Sequence, residues 1–225
     1  MSGAVLRQVF DTLHTAFGDQ HWWPANSDYE VIVGAVLTQN TAWRNVQRAI
    51  ANLRGAGLLE PGAIMALPAG QLAGQIRPAG YFNIKARRLQ NLTAALLDDG
   101  GVEAWRRWDT DALRRRLLQV NGVGEETADS ILLYVFQRPV FVVDAYTRRI
   151  FTRLGVLVGD ESYGAIADHF HAGLPRDSGL FNEYHALIVR LGNGICRPRP
   201  RCGECPLHGD CPVGRASVVG DFAKQ

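Results

Sequence analysis

Apolar residues recur at helical spacing along most of the chain, and short linkers rich in Gly, Pro, Asn and Asp separate the runs. This pattern is typical of a compact all-α protein. The spacing predicts helices over 3–17, 29–36, 43–56, 61–65, 71–75, 83–98, 109–120, 125–136, 145–154, 163–173 and 179–192. Residues 140–143 favour a strand by propensity, but no second strand is available to pair with them. We therefore expect an extended lead into a helix that Asp144 caps.

Composition narrows the class of protein. The chain has 225 residues, of which 47% are hydrophobic and 20% charged, so disorder, collagen and coiled coil are excluded. The longest apolar runs, 31–37 and 131–136, are far shorter than the roughly 18 to 20 residues of a membrane span, and the N-terminal segment lacks an export pattern. We expect a cytoplasmic protein, associated with the nucleoid if bacterial, with no membrane partner.

The basic residues are strongly biased towards arginine. Of 24 basic residues, 22 are Arg and only Lys85 and Lys224 are lysines. An arginine keeps its proton and binds phosphates, whereas a lysine can become a nucleophilic amine. Amine chemistry in this chain must therefore use one of two lysines or the N-terminus.

Residues 117–129 carry the first motif, LLQVNGVGEETAD, which predicts a helix, a tight hairpin and a second helix. Gly122 and Gly124 allow positive φ and leave no side chains around Val123 in the turn. Backbone N–H groups at the start of the second helix can then face a phosphate. These three residues are candidates for DNA backbone contacts, although an ordinary tight helical hairpin explains the pattern equally well.

The second motif is FVVDAYTRRI at 141–150, where a carboxylate ends an apolar stretch and opens a helix. An N-cap role is sufficient to explain Asp144 in isolation. Arg148 and Arg149 follow on the same helix and are candidates for phosphate contacts.

All four cysteines lie within the last 30 residues, in the pattern Cys196-x5-Cys202-x2-Cys205-x5-Cys211. In a reducing compartment such a cluster favours metal over disulfides. Four thiolates fit either a [4Fe-4S] cluster or a structural Zn²⁺, but zinc modules usually present two short Cys pairs and this chain has one.

Together with LTQNT at 37–41, these motifs resemble the helix-hairpin-helix DNA glycosylases of the endonuclease III superfamily, in the expected order over nearly the whole chain. The resemblance implies an all-α, two-lobed HhH-GPD fold. One lobe is a six-helix barrel over 27–138, and the other combines 1–26 with 139–225 and carries the cysteines. It implies a [4Fe-4S] cluster, with zinc as the alternative, although the first cysteine loop is one residue shorter than in the family. The implied partner is double-stranded DNA containing damaged bases, and a monomer is expected.

The resemblance also implies roles for individual residues. Asp144 matches the catalytic carboxylate, which stabilises positive charge on the sugar and orients or activates water. Gln39 and Asn40 align with the wedge that fills the gap left by a flipped base, with a helix-terminus cap as the alternative. Glu126 stands where bifunctional members carry a nucleophilic lysine. Lys85 lies where the family has a structural or phosphate-contacting lysine. We therefore predict a base-excision glycosylase without efficient β-lyase activity.

Aromatic residues suggest the substrate. The segments around Trp22, Trp23 and Pro24, and around Trp43, look like the 3-methyladenine glycosylase branch, in which matching aromatics line the base pocket. Lobe packing is the alternative role for the indoles. Glu126, also placed in the pocket, makes it more favourable for a cationic alkylated purine.

Other interpretations remain open. The chain could be an endonuclease III-type glycosylase and AP lyase for oxidised pyrimidines, or an iron–sulfur protein that binds lesions without efficient catalysis. The adenine-mismatch branch is disfavoured because its catalytic Glu corresponds to Gly34. His185 is interpreted as a structural histidine, and the arginine clusters at 105–108 and 114–116 as solvated helix surface.

Overall fold

The computed structural model describes residues 3–222, and side chains as far as residue 217. The described chain is helical and contains no β-strand. The helices are α1 Gly3–Phe17, α2 Asp28–Leu37, α3 Trp43–Gly55, α4 Pro61–Ala66, α5 Ala69–Gln75, α6 Phe82–Asp98, α7 Val102–Arg107, α8 Thr110–Leu118, α9 Glu125–Tyr134, α10 Ala145–Arg153, α11 Tyr163–Gly173, α12 Ser178–Gly194 and α13 Pro212–Phe222. Two 3₁₀ turns lie at Arg77–Ala79 and Cys202–Glu204. The all-α prediction is confirmed.

All eleven predicted helices are present, with ends within two residues of the predicted ones. The pattern missed α7 and α13. Helix α7 is short, and its only fully buried side chain, Trp105, is followed directly by two arginines that suggest a solvent-exposed surface. Its indole N–H donates to Asp99 Oδ2 at 2.8 Å, so the interpretation of this cluster as solvated surface was wrong for Trp105.

Residues 140–143 are extended and unpaired with any strand, as predicted. Neighbouring side chains satisfy their backbone instead. The N–H of Phe141 donates to His171 Nε2 at 2.8 Å, and the N–H of Val143 donates to the Tyr163 hydroxyl at 3.3 Å. Phe141 also stacks on Phe170, with ring centroids 3.8 Å apart. This segment is therefore a buried, fixed support for Asp144, which follows it.

The described residues divide into two compact units. The first unit contains the residues before Trp23 and those from Pro139 onward, and the second is Trp23–Arg138. In the first unit α1 packs against α11 and α12, and α10 packs against α12. The aromatic centre of this unit consists of four residues whose rings meet mostly edge to face: Phe141, Phe151, Phe170 and Tyr184.

The second unit is built around α2, whose residues from Tyr29 to Leu37 are all buried and which contacts α3, α6 and α9. Ion pairs fix the outer helices. Arg114 binds Asp129 through two hydrogen bonds of 2.6 and 3.0 Å, which tie α8 to α9. Arg116 binds Asp99. The interpretation of 114–116 as solvated surface was therefore wrong for these two arginines.

The search of the described helices for a membrane span returned none: no helix there is both long and apolar enough.

Candidate active site

Asp144 is the N-cap of α10 and is 8% exposed. Its Oδ1 accepts two hydrogen bonds from Thr147, from the backbone N–H at 2.7 Å and from the hydroxyl at 2.9 Å. The extended segment before Asp144 and the helix after it therefore fix the carboxylate. Both hydrogen bonds from Thr147 go to Oδ1, and neither goes to Oδ2.

His185 on α12 lies beside the second oxygen, with Nε2 3.6 Å from Asp144 Oδ2. Burial alone would raise the pKa of Asp144, but the neighbouring His185 ring, helped by the hydrogen bonds from Thr147, outweighs it and lowers the pKa. The carboxylate is consequently ionised at neutral pH. The close approach of α10 and α12 depends on Gly192, because a Cβ there would lie 2.4 Å from Tyr146 Cδ1.

Arg148 and Arg149 are both engaged inside the first unit. Arg148 donates to the carbonyl of Glu161 at 2.6 Å. Arg149 donates to the carbonyls of Cys196 at 2.8 Å and Gly192 at 2.9 Å. The two bonds of Arg149 connect α10 to α12 and to the first cysteine. A phosphate-binding role for the two arginines stays a prediction.

The helix-hairpin-helix motif is formed by α8, the turn and α9. Gly122 has a φ of +97°, and a Cβ there would lie 2.2 Å from Arg88 Cγ, so glycine is required at this position. Gly124 has a φ of −99° and open space around it, so the turn uses the conformational freedom of glycine at Gly122 and not at Gly124. Val123 is buried, and its N–H donates to the carbonyl of Val120.

Gln39 connects the turn after α2 to this hairpin. Its amide N–H groups donate to Gly122 O at 3.1 Å and Thr127 Oγ1 at 3.0 Å, and its Oε1 accepts from Arg88 at 2.5 Å. Asn40 next to it is exposed and has a φ of +51°. The wedge role of the two residues stays a prediction, and Asn40 is the more accessible of the pair.

Glu126 and Lys85 occupy contrasting environments in the second unit. Glu126 is exposed in the first turn of α9, on the helix face that also carries Tyr134 two turns later. Lys85 is 2% exposed, and its Nζ donates to Leu37 O at 2.8 Å, Thr41 Oγ1 at 2.6 Å and Ala79 O at 2.9 Å. Burial, and to a smaller extent Arg88, lower the pKa of Lys85 to about 8.

Three of the predicted pocket residues line one cavity in the second unit: Trp23, Pro24 and Trp43. The rings of Trp23 and Trp43 meet edge to face at 5.1 Å. Trp22 belongs to the first unit and does not line this cavity. A Cβ on Gly34 would lie 2.8 Å from Trp23 Cζ2, so the indole fills the space that a glutamate at position 34 would need.

The four cysteines are reduced and line a common cavity together with Arg153 and His208. Arg153 Nη1 donates to Cys196 Sγ at 3.3 Å and to the carbonyl of Arg197 at 2.6 Å. Four thiolates around one cavity are a ligand set that fits either a structural zinc or an iron–sulfur cluster.

The HhH-GPD superfamily of base excision DNA repair proteins matches residues 33–176. The chain belongs to this superfamily. This HhH-GPD glycosylase is 46% identical to a candidate DNA repair glycosylase of Methanocaldococcus jannaschii over 92% of the chain and 96% of the relative. It is 30% identical to endonuclease III of Sulfolobus acidocaldarius, with 81% of each chain covered.

Solved structures place the glycosylase in the same fold. A trapped endonuclease III–DNA covalent intermediate has a TM-score of 0.83 and 25% identity, with 97% of this chain and 99% of the other covered. The 3-methyladenine DNA glycosylase of H. pylori bound to 1,N6-ethenoadenine has a TM-score of 0.74 and 28% identity. That similarity covers 85% of this chain and 97% of the H. pylori chain.

Sequence reasoning missed one residue of the glycosylase's carboxylate site. It treated His185 as structural, and the residue is indeed buried, but its ring nitrogen lies beside Asp144. Nothing in the local pattern of α12 indicates this, because the contact arises from packing between two helices. The only sequence signal is Gly192, whose missing side chain allows the two helices to approach.

Proposed function

We propose that this HhH-GPD protein is a monofunctional glycosylase that binds double-stranded DNA and excises alkylated purines without efficient strand cleavage. The observation that carries the proposal is the state of Lys85. All three N–H bonds of this amine are directed to acceptors in a buried site. Lys224 and the N-terminal Met1 lie outside the described residues. The described chain therefore offers no accessible lysine for imine chemistry.

Asp144 supplies the chemistry in this proposal. Breaking the N-glycosidic bond builds positive charge on the deoxyribose, which an ionised carboxylate stabilises. Thr147 holds Oδ1 in place and His185 lies beside Oδ2, and in this proposal Oδ2 is the oxygen that faces the sugar or a water molecule. His185 keeps the carboxylate ionised, because it lowers the pKa against the effect of burial. Water then attacks C1′, and the departing base leaves with the bonding electrons.

Glu126 accounts for the absence of lyase chemistry. It stands in the first turn of α9, where bifunctional relatives carry a lysine, and a carboxylate cannot form a Schiff base. Glu126 is not among the residues that line the cavity beside Trp23 and Trp43, so its part in this proposal is limited to the lyase step.

The lyase half of the proposal is tested by borohydride trapping on DNA with an abasic site. We expect little covalent product from the wild type, or from a variant with both Lys224→Ala and a blocked N-terminus. Glu126→Lys should gain trapping, and Glu126→Gln should not. Efficient wild-type trapping that survives the Lys224 and N-terminal changes would overturn this half.

The cavity beside Trp23 and Trp43 supports the substrate class. Indole rings bind flat cations through stacking and cation–π attraction. The similar H. pylori enzyme is a 3-methyladenine DNA glycosylase, which is the same substrate class. We therefore expect this protein to release methylated purines faster than thymine glycol or mismatched uracil.

A glycosylase assay with alkali cleavage across those duplexes tests the substrate. Faster release of thymine glycol would favour the oxidised-pyrimidine alternative. Specific binding to lesion-containing DNA with no release from any duplex would favour a binding protein without catalysis.

We also propose that Cys196, Cys202, Cys205 and Cys211 hold a [4Fe-4S] cluster. The four cysteines line one cavity, and the single short Cys pair of the sequence supports this over zinc. The cluster would supply structural cross-linking of the segment after α12, which Arg149 and Arg153 already bind to α10. Four irons and four inorganic sulfides per chain, with broad visible absorbance, are the expected result. One zinc per chain would contradict it.

A further inference from the structure

The cavity beside Trp23 and Trp43 has a charged wall. It has a volume of about 180 Å³, and its lining also includes Glu30, Gln47, Ile50 and Arg54. An engineered apolar cavity of about 150 Å³ accommodates benzene, so this one has room for a flat heterocycle. Two indoles, a carboxylate and a guanidinium thus meet at one space of suitable size for a base.

Glu30 is unusual because it is 4% exposed and its pattern predicts a different role. The sequence Ser27-x-x-Glu30 fits a capping box, in which the glutamate side chain would accept a hydrogen bond from the backbone N–H of Ser27. Ser27 does accept from the N–H of Glu30. The Glu30 carboxylate, however, binds Arg54 on α3, with Oε1 2.5 Å from Nη2.

The two side chains of this pair differ in solvent exposure and therefore in their ability to move into water. The side chain of Arg54 is 49% exposed, whereas that of Glu30 is 5% exposed. The guanidinium lies on a long stem and can move into water, where hydration compensates for the lost partner. The carboxylate cannot move in this way. If Arg54 leaves, Glu30 needs another positive charge, because a buried unpaired carboxylate is strongly disfavoured.

We propose that the Glu30–Arg54 pair determines the charge preference of the base pocket: a cationic methylated purine replaces Arg54 as the partner of Glu30, and a neutral base does not. The proposal rests on the proposed glycosylase function and names the residues that select its substrate class. A cationic ring is attracted both by the Glu30 carboxylate and by the faces of the indole rings. A neutral ring would leave Glu30 unpaired if it displaced Arg54.

A matched pair on the same helix provides the control. Asp28, two residues before Glu30, binds Arg106, and these side chains are 44% and 41% exposed. Neither residue lines the cavity. Both pairs join the start of α2 to a neighbouring helix, but only one of them faces the proposed ligand.

The test measures binding of two free bases by calorimetry: permanently charged 7,9-dimethyladeninium and neutral 9-ethyladenine. We expect the wild type to prefer the cation. Glu30→Gln should weaken cation binding by about tenfold and change the neutral base by less than twofold, while Arg54→Gln should strengthen cation binding by about threefold to tenfold. Asp28→Asn should change neither.

The opposite signs distinguish ligand selection from a structural role, because both substitutions break the same ion pair. If Glu30→Gln does not fold, Arg54→Gln still decides the matter through its gain for the cation alone. Equal changes for both bases, or no wild-type preference for the cation, would overturn the inference. Excision by the wild type is measured separately, so a lack of charge selection with normal release overturns only this inference, and selection without release overturns only the glycosylase proposal.

Discussion

Two buried carboxylates at the starts of helices, one in each unit, differ in the partners they have. Asp144 caps α10 and is bonded by the neutral donors of Thr147, with the titratable ring of His185 at 3.6 Å. Glu30 lies in the first turn of α2 and is paired with a permanently charged guanidinium at 2.5 Å. Both gain from the positive end of a helix dipole. The two carboxylates are therefore similarly buried but differ in how much negative charge remains to attract a further positive group.

The difference shows what a buried carboxylate can do. A carboxylate held by the donors of a threonine, beside a histidine, keeps its charge available to a positive centre that forms transiently, as on a sugar during bond breakage. A carboxylate already neutralised by arginine attracts a cation only when the arginine leaves. The first arrangement suits a catalytic group and the second suits a selector, and substitutions in the first unit can test this division.

Asp144→Asn should have the largest effect. Asparagine accepts the same hydrogen bonds and is an equally good N-cap, so the fold should be retained. Single-turnover excision should fall by about 10²- to 10⁴-fold because the charge is gone. The matched control is Asp177→Asn, which replaces the N-cap of α12, an exposed carboxylate that accepts from the N–H of Leu180.

The control should leave excision within about twofold of the wild type and should unfold within a few degrees of it, since surface changes rarely exceed about 0.5 kcal/mol. Equal loss in the two variants would indicate that capping, and not charge at Asp144, is what excision requires.

The features of the two carboxylate sites that could be predicted from the sequence are those set by neighbouring residues along the chain. Helix positions follow from a repeat that each segment carries by itself, and the N-cap role of Asp144 depends only on Thr147 three residues later. The segment before Asp144 was predicted as extended for the same reason, since no strand partner exists in the sequence. Short helix α7 was not predicted because two arginines follow its single buried tryptophan directly.

The parts that sequence reasoning could not reach depend on packing between distant segments. Gln39 bonds to Gly122 across 83 positions, and Arg54 meets Glu30 across 24. His185 approaches Asp144 only because Gly192 lets α12 lie close to Tyr146. In each case the residue types were visible, but the partner was set by tertiary packing, which outweighs local preference. Glu30 shows this most clearly, because its capping-box pattern indicates a local partner.

His185→Asn should have the second largest effect and a distinctive pH dependence. Without the imidazole, burial dominates and the pKa of Asp144 rises. Excision at neutral pH should fall by about tenfold, the value of one hydrogen bond to a charged group. The acid limb of the excision rate should move to higher pH, and a series of single-turnover rates between about pH 4 and 7 measures it. His185→Gln, which keeps an N–H donor, should restore part of both.

The same substitution should change how stability depends on pH. In the wild type the lowered pKa of Asp144 contributes stability that is present above the usual carboxyl range and is lost as the pH falls through the folded-state pKa. With a higher folded-state pKa, the variant should lose this stability at a higher pH than the wild type. The difference in unfolding free energy between the two proteins should therefore grow as the pH rises from the lowered folded-state pKa of the wild type to that of the variant. A constant difference would mean that His185 acts only by packing.

Thr147→Val should have the smallest effect. It removes the hydroxyl bond to Asp144 Oδ1 but keeps the backbone bond at 2.7 Å, and the side chain it replaces is fully buried. One lost donor should raise the pKa of Asp144 and reduce excision by about fivefold, corresponding to about 1 kcal/mol. Thr147→Ser keeps the hydroxyl and should stay near the wild-type rate. If Thr147→Val lowers excision as much as His185→Asn, then fixing Oδ1 matters as much as keeping the carboxylate ionised, and the contrast with Glu30 would lie in rigidity and not in the charge of the partner.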